Sequence, residues 1–254
     1  MEKEQKRGLQ TVHRAISLLN CFTLEETELS LTEISEKIKL PKSTTSRIVE
    51  TLIDSDMLQR NEHNFKYKLG YNLFILGRVA EHSNDIIRVA SPIMRKLRDQ
   101  SGESVSLYKI VGDKRVCIER FMSNQAVSHN VLVGTKLELD IGSAGKAMLA
   151  FQDEHFIETI INNQLTKAKR DWLVSEINKV KKSYLASSFD ERGAGVNAIS
   201  SPIFSMSGNV SFALCLSGPS LRFSEESMEK WSKWVKEGAK EISKLVGCEM
   251  QSTY

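Results

Sequence analysis

The residues best suited to chemistry lie between Pro41 and Lys68. Ser43, Thr44, Arg47 and Thr51 fall on one side of a helical wheel that opens just after Pro41, with Lys42 at its start. Thr45, Ile48, Val49, Leu52 and Ile53 fall on the other side. Small hydroxyl donors with a long cation near a helix start are the side chains that meet bases and phosphates when a helix lies in the DNA major groove. Glu50 and Asp54 share the outer face further along, where they would repel phosphate, so they are expected to tilt away. Arg60 and Lys66 follow on two short runs, 57–60 and 65–69, either side of Asn61-Glu62-His63-Asn64. Asn-rich turn chemistry between short runs containing aromatics is a hairpin pattern, and its cations suit a sugar-phosphate backbone.

Those side chains need a scaffold, and the preceding residues supply one. Leu31, Ile34 and Ile38 give a short helix one apolar face. Ser30 or Thr32 can cap it, with Glu33 and Glu36 near the positive end of its dipole. Pro41 stops that helix and suits the opening of the next. Upstream, Val12, Ala15, Ile16, Leu19 and Phe22 mark a supporting amphipathic helix; His13 and Arg14 near its start serve either as scaffold or as phosphate contacts. Residues 1–8 are expected to fray. The layout is a winged helix-turn-helix. Lys/Arg and Asp/Glu number eleven each over residues 1–70, so only local placement favours DNA, and a winged helix that touches protein stays open as the alternative.

Other chemistries find less support. Gly142-Ser-Ala-Gly145-Lys146-Ala147 imitates a phosphate loop, but that loop needs glycine where Asp140 stands and Ser/Thr where Ala147 stands. A tight turn into a helix remains, whose free amides could hold a carboxylate. No GxSxG elbow occurs. Asp190 and Glu191 are adjacent, so on a strand one faces solvent while the other lines a pocket. The four cysteines form no CxxC pair, and no His/Cys spacing suits zinc; Cys21 and Cys215 read as core thiols. No catalytic residue, metal ligand or cofactor is assigned, and a small-molecule enzyme with a winged-helix interaction domain is the rival from another class.

With 254 residues, 41% of them hydrophobic, the chain can build two cores. A net charge of +3 says little about partners. No apolar run reaches the ~18 residues of a membrane span, and the charged N-terminus lacks an apolar signal core, so a cytoplasmic protein is expected. We divide the chain into a DNA-binding domain over 9–70, a linker helix over 71–90 and a second domain over 91–254. Ser91-Pro92 reads as a new helix start. Strand patterns follow near 105–110, 116–121 and 127–133, then helices from 143, over 153–163 and over 171–186. Strands return at 196–206 and 210–217 before a closing helix over 225–246. Antiparallel strands with helices before, between and after them make an α+β domain with one central sheet.

Several segments together resemble the IclR family of bacterial transcriptional regulators over nearly the whole chain. They are Leu31-Thr-Glu-Ile34, Leu40-Pro-Lys-Ser-Thr-Thr-Ser-Arg47-Ile, Tyr67-Lys-Leu-Gly70, Gly145-Lys-Ala-Met-Leu-Ala150, Glu191 followed by Gly195, Pro202-Ile, and Leu216-Ser-Gly-Pro219. The resemblance implies a winged helix-turn-helix, a linker helix and a GAF-like effector-binding domain. It also implies homodimers, paired in many members into tetramers, on palindromic double-stranded operators, under a small organic or sugar-derived acid. By motif position the effector pocket is lined by Leu137, Ser143, Ala144, Ser188, Val196, Ala198, Cys215 and Ser217. Ser188, Ala198 and Cys215 depart from the family's usual residues, which predicts a less polar pocket. Asp56 stands where the family usually has glycine, in a left-handed turn it can tolerate. A repressor is the preferred expectation, with an activator of the same architecture as the alternative.

Overall fold

The computed structural model describes residues 9–82, 85–162, 166–191 and 195–248; the expected fraying of residues 1–8 lies outside them. Contacts divide the chain into two compact units, one running to position 83 and one from position 84.

The first unit contains α1 (Gln10–Leu19), α2 (Leu31–Ile38), α3 (Lys42–Asp54), β1 (Leu58–Arg60), β2 (Tyr67–Leu69) and α4 (Tyr71–His82). Ser30 caps α2: its hydroxyl accepts the Glu33 N–H at 3.3 Å, and the Glu33 carboxylate accepts the Ser30 N–H at 2.7 Å, a reciprocal capping box. Lys39 ends that helix in the left-handed region at φ 53°. Pro41 then stands at the N-cap of α3, which has no side-chain cap. Thr45, Ile48, Val49 and Leu52 are buried, with Ile53 half-buried, and the four apolar ones pack with Leu18, Ile34 and Leu58 into one core. That burial fixes which face of α3 is left outside.

The wing is antiparallel, Leu58 opposite Leu69 and Arg60 opposite Tyr67. Leu29 bridges to Tyr67 and ties the hairpin to the start of α2. Asp56 takes the left-handed turn, φ 55°. Gly70 packs against that same turn. A Cβ on it would lie 2.0 Å from the Asp56 carbonyl oxygen, so only glycine lets the end of the wing close on the end of α3.

The second unit begins with α5 (Asp85–Ser101), β3 (Ser104–Val111), β4 (Lys114–Phe121), β5 (Lys136–Glu138) and α6 (Ser143–Leu149). It continues with α7 (Glu154–Asn162), α8 (Lys167–Ser183), β6 (Ala186–Phe189), β7 (Val196–Phe204), β8 (Val210–Pro219) and α9 (Glu225–Leu245). One sheet runs in the order β5-β4-β3-β8-β7-β6, each neighbour antiparallel. The period of two splits β8 between two cores. Leu214 and Leu216 join Met94 of α5 and Val235 of α9 on one face. Ala213 and Cys215 join Met148 of α6 and Ile177 of α8 on the other.

Three elements differ from the sequence reading. Ser91-Pro92 does not start a helix: α5 runs through it because Ile86, Ala90, Met94 and Leu97 form one continuous buried stripe. Pro92 itself is exposed, so the carbonyl it leaves without an intrahelical donor stands on the solvent side. The segment 127–133 is no strand. Val127, Leu132 and Val133 are 66%, 51% and 52% exposed, and it is Lys136–Glu138 that pairs with β4. The helix expected to reach 186 ends earlier, where Tyr184 turns left-handed at φ 60°, and Ala186–Phe189 becomes the edge strand β6.

Candidate functional site

On the first unit, Lys42, Ser43, Arg47, Thr51 and Arg60 are exposed, and Thr44 and Lys66 are half-buried. Thr51 donates its hydroxyl to the Arg47 carbonyl at 2.9 Å, so it faces its own backbone. Arg60 stands over the Phe65 and Tyr67 rings at 5.0 and 5.9 Å. This cation–π seating holds its charge at the surface of the wing. Lys66 pairs with Glu33 at 3.5 Å, an exposed pair worth little and readily exchanged for phosphate. The turn of the wing has an anchor the sequence reading missed. Asn61 and Asn64 donate to the two Glu28 oxygens at 2.9 and 2.7 Å, and these bonds hold the Glu28 carboxyl below its ordinary value.

On the second unit, seven of the eight residues assigned by motif position line one cavity of about 30 Å³: Ser143, Ala144, Ser188, Val196, Ala198, Cys215 and Ser217. Leu137 does not line it; it is half-buried against the neighbouring core. The register sets Ala198 opposite Ser217 and Ser200 opposite Cys215, and α6 adds Ser143, whose hydroxyl lies 2.8 Å from that of Ser200. Cys215 is therefore a cavity wall as well as a core thiol, and burial pushes that thiol up, keeping it neutral.

Four further residues complete the lining: Tyr108, Arg115, His129 and Gly142. Arg115 is 3% exposed, donates to the Glu138 carbonyl and to the Ile141 carbonyl, the latter at 2.6 Å, and lies 5.6 Å from the Tyr108 ring centre. Burial pushes the Tyr108 hydroxyl well above its ordinary value, so it stays a neutral donor. His129 sits 3.2 Å from the Ser217 hydroxyl through Nδ1. Beside Ser188, Ala198 and Cys215, the wall holds a cation, an imidazole and a phenol, and among the described lining residues no carboxylate. Alternation along β4 carries a signal for Arg115, which shares a buried face with Cys117. His129 arrives on an irregular segment, and no periodicity announces it.

The amide at the start of α6 is also not vacant. Gly142 N–H donates to Glu191 at 2.8 Å, so the chain's own carboxylate holds the place expected for a bound one. The other Glu191 oxygen accepts from Lys146 at 2.5 Å, and Glu176 accepts from the same ammonium at 3.0 Å. Lys146 is 1% exposed and stands 4.9 Å from the Trp172 ring centre. Burial works to raise the Glu176 carboxyl, but hydrogen bonds from Lys179 and Lys146 overcome it and hold it below its ordinary value. Asp190 turns outward at φ 52°, while Glu191 faces this network rather than the cavity. The lysine that imitates a phosphate loop is thus consumed inside the protein.

Comparison with known proteins adds to this geometry. A family model described as the IclR helix-turn-helix domain matches residues 11–62, and one described as bacterial transcriptional regulator IclR C-terminal matches residues 79–244. The HTH-type transcriptional repressors AllR of Escherichia coli (strain K12) and Salmonella typhi are each 27% identical over 253 residues, covering 97% of this chain and 93% of their own. An IclR family transcriptional regulator from Brucella abortus superposes with a TM-score of 0.85 at 24% identity, covering 97% of this chain and 95% of that one. An IclR homologue from Microbacterium hydrocarbonoxydans, solved in complex with 4-hydroxybenzoate, gives 0.81 at 21% identity, covering 93% and 99%.

Proposed function

The chain belongs to the IclR family of bacterial transcriptional regulators, and from that premise we propose that it is a cytoplasmic repressor whose hold on an operator is set by a small organic acid. The family and its relatives regulate transcription, so the rival enzyme is set aside. Repression is favoured over activation because the AllR relatives are named repressors. The observation that carries the DNA reading is the division of α3. Its apolar face is spent in the core while Lys42, Ser43 and Arg47 stand exposed. Arg60 and Lys66 on the wing then hold the backbone.

The cavity supports the acid. Among the described lining residues Arg115 is the permanent charge, beside serine hydroxyls and His129, a set that recognises a carboxylate. A water needs about 10–15 Å³, so a cavity of about 30 Å³ favours an acid of only a few heavy atoms. A sugar-derived acid requires the walls to part. Residues 9–70 would read DNA, 71–90 link, and 91–254 bind the effector. A homodimer, paired or not into a tetramer, is supported by Tyr71, Phe74 and Val79 on α4, which stand 64%, 57% and 63% exposed. On a palindromic operator its two recognition helices would lie about 34 Å apart or a multiple of it. The acid controls DNA binding only by favouring one dimer geometry over the other.

The test is a thermal-shift series of carboxylates of increasing size, each against its neutral amide. Short acids should raise the melting temperature and their amides should not. Ala198→Leu, which fills the cavity, should abolish the shift. Equal shifts from acid and amide, or a shift that survives Ala198→Leu, would falsify the assignment.

A further inference from the structure

Arg14 of α1 and Arg47 of α3 line one open cleft of about 290 Å³, whose walls also carry the hydroxyls of Thr11 and Thr44. Among the described residues the lining holds no carboxylate. Arg14 is half-buried and Arg47 exposed. Neither guanidinium makes a hydrogen bond or ion pair within the described residues. Two like charges gathered in one concavity repel each other, so the arrangement asks for an anion between them. A guanidinium offers a planar fork that fits two oxygens of one phosphate, and threonine hydroxyls can donate to the remainder.

We propose that this cleft takes a phosphodiester of duplex DNA, so that α1 grips the backbone beside the groove that α3 enters. The inference rests on the DNA-binding reading and adds to it a contact from the helix otherwise read as support. A phosphate carries no base identity, so Arg14 must contribute alike to every duplex sequence. The competing role is packing: the Arg14 stem covers the apolar floor of the cleft and the charge only reaches water.

The two roles separate in a salt titration, and a random-sequence duplex suffices as the probe. Binding of the full chain is followed by fluorescence anisotropy from low to physiological salt. Arg14→Gln should weaken binding several-fold at low salt and reduce the slope of log K against log salt by about 0.9, one phosphate's worth. Arg14→Lys should keep most of that slope. A wild-type slope in Arg14→Gln, whether or not affinity or melting temperature falls, overturns the cleft as a phosphate site. If the wild-type chain itself ignores the duplex, the DNA-binding reading fails and the cleft with it. Wild-type binding with an unmoved slope defeats the cleft alone.

Discussion

Lys146 shows what a single side chain can decide. A buried ammonium is tolerable only when paired and hydrogen-bonded, and here Glu176 and Glu191 do both. Removing it leaves two mostly buried carboxylates facing each other. Lys146→Met should therefore cost on the order of 3–5 kcal/mol in urea unfolding, although methionine fits the space. Glu191→Gln should cost less, since its amide oxygen can still accept the Gly142 N–H. A methionine variant as stable as wild type would show the network to be ornamental. The cavity residues were only partly visible in the sequence. Serines and alanines at motif positions were legible. Arg115 and His129 reach the wall from β4 and from an irregular segment whose path no spacing encodes.

Among the elements, the hairpin and α3 depend on each other through Gly70. Its N–H donates to the Met57 carbonyl at 2.8 Å, and its missing side chain admits the Asp56 turn. Gly70→Ala should destabilise the first unit by more than 1 kcal/mol, beyond an ordinary surface change. Because the wing would lift, DNA affinity should fall as well. A melting temperature within a degree of wild type, with affinity intact, would refute that coupling. The pattern of this unit was legible because each signal agreed with the next: a cap at Ser30 or Thr32, the stop at Pro41, the Asn-rich turn. The second unit was less so. Pro92 looked like a boundary, yet the buried stripe from Ile86 to Leu97 outweighs one missing hydrogen bond. The short edge strand β6 went unassigned beyond the helix expected to reach 186, because four residues carry too little periodicity to declare themselves.

For the whole molecule, the apolar side chains of α4 are the feature that a lone chain leaves unexplained. Phe74, Ile75, Leu76 and Val79 are between 47% and 63% exposed, a concentration that marks an association surface more often than a solvated one. Phe74→Lys with Val79→Asp should shift the species in sedimentation velocity from dimer to monomer. Operator affinity should fall with it, since one half-site then binds without its neighbour. A dimer that persists in the double variant would move the interface elsewhere. Pro41 bears on the proposed DNA contact. A serine or aspartate at that N-cap would firm the free helix by about 1 kcal/mol, but it would set an oxygen where duplex phosphate oxygens could meet the first amides. Under the proposed operator contact, rigidity in isolation and grip on a duplex are rivals at one position, and a proline there forgoes the first in favour of the second.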